Sequence, residues 1–274
     1  MYPILFRFGN FEITTFGLMM FLAFVAGGWI LARQFRRYGL SEELASTVLM
    51  VAAIGGIAGA KIYYAILFRD WHLLFDRAGL VWYGGLLGGW LAVSLLLWRK
   101  RVDYFTAADG IAPALAIGYC LGRIGCFLVG DDYGRPTDSW VGIAFPKGSP
   151  PTTAESLRQF GVHIDSSIPP DQVLRVHPTQ LYESAASLVI LLILLAASRR
   201  PHPKGRIFGL FFILMGIERF LVEIVRAKDD RFFGPFTIAQ VISVLLIIVG
   251  CYFVFGLSRR RSEAISGTAT TSSS

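Results

Sequence analysis

Three stretches of this chain, Ile13 to Ala32, Ala78 to Trp98 and Phe232 to Ser258, carry no charged residue at all. A helix needs about 20 mostly apolar residues to cross the hydrocarbon core of a bilayer, and each stretch is long enough. Four more qualify despite isolated charges: Leu44 to Phe68 with Lys61, Gly110 to Gly130 with Arg123, Leu181 to Ser198 with Glu183, and Ile207 to Val225 with Glu218, Arg219 and Glu223. The expectation is an all-α polytopic membrane protein with seven transmembrane helices. Composition agrees, since 16% of the residues are charged against roughly 25% in soluble domains. Disorder is excluded, because 22 Phe, 6 Trp and 10 Tyr cannot stay solvated.

The first stretch reads as a retained span, since it lacks a basic leader and an Ala-x-Ala-like cleavage site. Basic residues set the orientation. Thirteen lie in one alternating set of segments (33–37, 99–101, 199–206 and 259–261) and six in the other short segments. The N-terminus is therefore expected outside and the C-terminus inside. The net charge of +7 becomes a topology signal, and nucleic acid drops out as a partner. Segment 131–180, rich in Pro, Gly, Ser and Thr, is expected to form a small outer-face cap between helices four and five. A short β element is expected at Trp140 to Phe145. The membrane domain then spans 1–261, and the Ser/Thr-rich tail 262–274 is expected to be disordered. Cys120, Cys126 and Cys251 offer neither a disulfide framework nor metal-ligand spacing, so no metal and no cofactor are expected.

Lys61, Arg123 and Arg219 are the basic residues inside spans. A buried cation at bilayer depth costs several kcal/mol unless it is paired or faces water, which makes each a functional candidate. With this orientation all three fall in the outward half of their spans. Glu183 and His177 open span five, Tyr83 opens span three and Gln240 stands near the outer start of span seven. Polar groups thus gather in the outer leaflet half, which suits chemistry on a lipid or an exported substrate. Arg219 and Glu223 stand one helical turn apart and can pair. Arg123 has no acid within four residues inside its span, so its counter-ion must come from another helix or a ligand. The glycines from Gly122 to Gly134 are expected to loosen the helix end beside Arg123 and Arg135. Guanidinium forks suit phosphate oxygens, and the expected site is a phospholipid head-group pocket. Glycines in spans one to three, including Gly55, Gly59, Gly84 and Gly88, allow close helix packing.

The run Gly122-Arg123-x-Gly125-x-Phe127-x-x-Gly130-x-x-x-Gly134 resembles the signature of the prolipoprotein diacylglyceryl transferase family of bacterial inner-membrane enzymes. Further likenesses cover most of the chain: Gly17-Leu18-Met19, Gly59-x-Lys61, Gly84-Gly85-Leu86, His177-Pro178-Thr179-Gln180-Leu181-Tyr182-Glu183, Arg219-x-x-x-Glu223 and Gln240. The chain departs from the familiar pattern with Tyr83 where a His is usual, Cys126 for Asn, Asp131 for Glu, and Phe16 and Met215 for two tyrosines.

The resemblance implies transfer of the diacylglyceryl group of phosphatidylglycerol to the lipobox cysteine of an exported preprolipoprotein, with glycerol phosphate leaving. Seven spans with the N-terminus outside are also the family's topology. Arg123 and Arg219 would clamp the phosphate, with Glu223 holding Arg219. Lys61, Gly122, Gly125, Gly134 and Gln240 would line the phosphatidylglycerol site. Tyr83, His177, Glu223 and Asp131 are the candidate proton acceptors, and Glu183 is a candidate support. The rival readings are a non-catalytic lipid-binding relative and a lipid transporter.

Overall fold

The computed structural model describes residues 4–8, 11–74, 79, 81–227, 231–233 and 236–256. The expected tail at 262–274 and the basic segment 259–261 lie outside the described residues, as do Ala78 and Leu80 of the stretch 78–98 and Gly234, Pro235, Leu257 and Ser258 of the stretch 232–258. The elements are a hairpin β1(Ile4–Phe8)–β2(Phe11–Thr14), helices α1(Thr15–Arg37), α2(Glu42–Phe68), α3(Trp82–Arg99) and α4(Tyr104–Val129), then β3(Ile143–Ala144), α5(Ala154–Gln159) and β4(Arg175–Val176), followed by α6(Thr179–Ala197), α7(Arg206–Glu223), β5(Arg231–Phe233), β6(Phe236–Thr237) and α8(Ile238–Cys251). A π-helical turn, Tyr252–Gly256, extends α8.

A long helix occupies each of the seven stretches expected to be helical. Five of them, α1, α2, α4, α6 and α8 with its extension, are long and apolar enough to cross a membrane. Helix α7 carries Arg206, Glu218, Arg219 and Glu223 in 18 residues, and α3 spends four of its 18 positions on glycine. Both helices form, but neither meets that measure. The protein is a mostly helical polytopic chain.

The chain divides into two compact units, residues 28–111 and residues 1–27 with 112–274, with the divisions falling inside α1 and α4. In the first unit Ser41 caps α2 by accepting from the Leu44 amide. Helices α2 and α3 then pack glycine against glycine. A Cβ at Gly55 would stand 2.9 Å from the Gly88 carbonyl oxygen, and one at Gly59 would overlap the Gly84 carbonyl. Only backbones without side chains approach this closely. The contact fixes Tyr83, one residue before Gly84, and Lys61, two after Gly59, at the same level of the hairpin. Gly59→Ala is expected to cost about 1–3 kcal/mol through overpacking. Its melting temperature in detergent checks this, and an unchanged value would refute the close approach.

The second unit contains segment 131–180. Strands β3 and β4 pair antiparallel, Ile143 opposite Val176 and Ala144 opposite Arg175, which realises the β element expected at 140–145. Thr153 caps the short α5 by accepting from the Ser156 amide. Tyr133, Phe145, Leu157, Val176 and Ala227 form a buried core, with Tyr133 and Phe145 stacked at 5.8 Å. Ala227 ties this core to the chain leaving α7.

One expectation is corrected here. The backbone does not loosen at Gly122 and Gly125, because α4 runs unbroken from Tyr104 to Val129 and ends only at Gly130, whose φ is 78°. A glycine inside a helix costs about 1 kcal/mol relative to alanine, and packing overrides that cost. A Cβ at Gly125 would stand 3.2 Å from both Met19 and Phe16, so this glycine lets α1 approach.

Candidate active site

Helix α6 buries a polar stripe. Gln180, Glu183, Ser184 and Ser187 are all buried at spacings of three and four, which is one helix face. The Ser187 hydroxyl donates to the Ala116 carbonyl at 2.8 Å, and Ser184 Oγ lies 3.3 Å from Cys120 Sγ. These contacts hold α6 against α4. Continuing the same face of α4 by one turn brings Tyr119 and Arg123 to Glu183.

Glu183 is fully buried and is the centre of an ion-pair network. Arg123 Nε lies 3.1 Å from its Oε2, while Arg219 Nη1 and Arg226 Nη1 lie 3.6 and 3.8 Å from its Oε1. Tyr119 donates its hydroxyl to Oε1 at 3.1 Å, and the Arg123 guanidinium rests over the Tyr119 ring at 5.0 Å. Asp132 bridges two of the cations, with Oδ2 2.8 Å from Arg123 Nη1 and Oδ1 3.0 Å from Arg226 Nη2. Glu223 holds Arg219 at 2.6 Å across one helical turn and lies 3.9 Å from Arg226 Nε. Arg219 Nη1 is buried without a hydrogen-bond partner. Three guanidinium groups are thus gathered and oriented, and Arg219 Nη1, paired with Glu183 by charge without a hydrogen bond, can still donate to an anion.

The loop after α4 is built to hold this geometry. The Gly134 amide donates to the His177 carbonyl and the Arg135 amide to the Val225 carbonyl, both at 2.8 Å. A Cβ at Gly134 would stand 2.5 Å from that Val225 carbonyl and 2.8 Å from both His177 and Thr179. Thr179 donates its hydroxyl to the Asp132 carbonyl at 2.8 Å, and Gln180 donates to the Asp131 carbonyl. Gly134 is therefore the point where three segments converge behind Asp132 and Arg226.

The two neighbouring aspartates differ. Burial pushes the Asp131 carboxyl above its ordinary value. Burial acts the same way on Asp132, but the Arg226 and Arg123 guanidinium groups together outweigh it and hold that carboxyl below the usual range. The stability drawn from Asp132 is present above the ordinary carboxylate range and fades as pH falls through its lowered value. Cys126, Asp131 and Asp132 offer ligand-type atoms within 4.8 Å of one another. Asp132 is already spent on two arginines, so the set is poorly suited to a cation.

The structure brings Arg123, Arg219, Glu223 and Glu183 together. Arg226, Asp132 and Tyr119 join them unannounced. Arg226 is legible in sequence only as a loop charge, and Asp132 only as the neighbour of Asp131. The counter-ion that Arg123 lacks along its own span is Glu183 of α6, together with Asp132. His177 lies at the edge, its Nδ1 3.2 Å from the Tyr182 hydroxyl. Gln240 Oε1 accepts from the Thr237 amide in the capping box of α8, so that atom serves the helix start. A side chain at Gly122 would meet nothing within 4 Å. Tyr83 and Lys61 belong to the other unit, where Tyr83 is half-exposed and packs edge-on against Trp82 at 5.2 Å.

The family described as prolipoprotein diacylglyceryl transferase matches residues 3–256 of this chain. A phosphatidylglycerol–prolipoprotein diacylglyceryl transferase of Clostridium tetani is 31% identical over 269 residues, covering 96% of this chain and 100% of that protein. Those of Geobacter sulfurreducens and Shewanella oneidensis are 33% and 32% identical, covering 94% and 92% of this chain and 96% and 94% of theirs. With a match across nearly its full length, the chain belongs to the prolipoprotein diacylglyceryl transferase family.

Proposed function

We propose that this protein transfers the diacylglyceryl group of phosphatidylglycerol to the lipobox cysteine of a prolipoprotein, at the outer face of the bacterial inner membrane. The observation that carries the reading is the convergence of Arg123, Arg219 and Arg226 on the buried Glu183, in a chain whose relatives bear that activity in their names. The reading takes all seven long helices as spans, the N-terminus outside, and 131–180 as the outer cap of a 1–261 membrane domain. The cysteine sulfur attacks the glyceryl carbon, the carbon–oxygen bond breaks and glycerol phosphate leaves. Negative charge grows on the departing phosphate. Preoriented guanidinium donors in a water-poor site stabilise that charge more in the transition state than in the ground state. Arg123 and Arg219 are the phosphate clamp, Arg226 is its third member, and Glu183, Glu223 and Asp132 hold the forks in position. Gly122 leaves open space for the lipid beside Arg123.

Purified protein, phosphatidylglycerol and a lipobox peptide test this. Mass spectrometry is expected to show a diacylglyceryl thioether on the peptide. Lipid binding or lipid translocation with an unmodified peptide would instead support the non-catalytic or transporter reading. Tyr83 gives a second test within the same assay. Its hydroxyl hydrogen-bonds phosphatidylglycerol in our reading, with Lys61 at the same level of the hairpin. Tyr83→Phe is therefore expected to slow transfer by about tenfold, the worth of one hydrogen bond to a charged group, and Tyr83→His to retain activity. Full activity in Tyr83→Phe would reduce this residue to an aromatic anchor at the membrane interface.

A further inference from the structure

Glu218 precedes Arg219 on α7 and is buried, 6% exposed. Neither carboxylate oxygen has a hydrogen-bond partner. It is within electrostatic reach of Glu183, Arg123, Arg219 and Arg226, and of Tyr119. From α8, which packs against α7, the buried polar side chains are Gln240 and Ser243, which do not titrate. The other acids of the network are committed. Glu183 and Asp132 each bridge two or more arginines, and Glu223 is held by Arg219 at 2.6 Å. Protonating Glu183 or Glu223 would unbalance a buried ion pair, at a cost of several kcal/mol, and Asp132 is bridged between Arg123 and Arg226. A carboxylate kept in a buried site without hydrogen bonds is costly to maintain, and taking up a proton relieves that cost.

We propose that Glu218 accepts the proton of the acceptor thiol in the transferase reaction; the assignment rests on the reading above. The S–H bond breaks and its proton passes to a Glu218 carboxylate oxygen. The sulfur forms its bond to the glyceryl carbon as the carbon–oxygen bond breaks. The electron pair leaves on the oxygen of glycerol phosphate. Glu218 then returns its proton to the departing phosphate or to water, and the carboxylate is restored. Placement next to Arg219 keeps the acceptor beside the clamp while leaving the clamp's own carboxylates ionised.

The test uses the full chain in phosphatidylglycerol-containing micelles with two lipobox peptides, one with cysteine and one with selenocysteine, whose selenol is already ionised at neutral pH. Glu218→Gln is expected to slow transfer to the cysteine peptide by about 10²–10⁴-fold, the range for removing a general base. The KM for phosphatidylglycerol should stay unchanged, and the selenocysteine peptide should be lipidated at close to the unmodified rate. Glu218→Asp, which keeps the carboxylate, should fall between. Equal losses on both peptides would mean a structural role and overturn the assignment. So would a wild-type rate in Glu218→Gln, or a loss confined to the cysteine peptide in Asp131→Asn instead. Unmodified protein that lipidates neither peptide would overturn the transferase reading itself.

Discussion

Arg123→Lys is expected to lose about 10²–10³ of the transfer rate although the positive charge is kept. That is the range for removing one preoriented donor from a developing anion. Arg123 works as a fork. Its Nε faces Glu183 at 3.1 Å, its Nη1 faces Asp132 at 2.8 Å, and its plane lies over Tyr119. An ammonium offers one point of charge and cannot satisfy two acids while presenting a further N–H to phosphate. Single-turnover transfer to a lipobox peptide measures this directly. A lysine variant near the wild-type rate would reduce Arg123 to a neutralised structural cation.

Glu183→Gln should be the most damaging change to stability. The side chain keeps its shape but loses the charge that three guanidinium groups share, and Asp132 and Glu223 are the ion-pair partners left to them. Removing one partner of a buried ion pair costs about 3–5 kcal/mol. The expected result is a fall of several degrees in melting temperature and loss of transfer. Pairing the change with Arg226→Gln should recover part of the stability, because the charges then balance again. Additive losses in the double variant would show that Glu183 and Arg226 are not coupled.

Much of this was legible in the sequence because the governing signals are local. Apolar stretches of about 20 residues mark the helices, and Arg219 with Glu223 announces a one-turn pair. Long-range choices were not legible. Arg226 and Asp132 are 94 positions apart, and nothing in either neighbourhood advertises their partnership. Each reads as an ordinary loop charge until Gly134 brings its segment against Val225. Glycine at 122 and 125 suggests a loosened backbone, yet helix packing tolerates there what propensity disfavours. At 59 and 84 glycine marks a close approach, and two backbones touch there. The hairpin before α1, Ile4–Phe8 with Phe11–Thr14, was missed because its short alternation is swamped by the apolar stretch that follows. The start of α8 lies six residues inside its apolar stretch, since Thr237 and Gln240 form a capping box there.

The central claim is that the arginine cluster drives cleavage of the bond between the glyceryl carbon and the phosphate oxygen. Phosphatidylglycerol carrying heavy oxygen at that bridging position tests it in one reaction. The account predicts one molecule of glycerol phosphate for each thioether-linked peptide, with all of the heavy oxygen in the glycerol phosphate. Heavy oxygen retained on the diacylglyceryl fragment, or lipid consumed without a lipidated peptide, would contradict it.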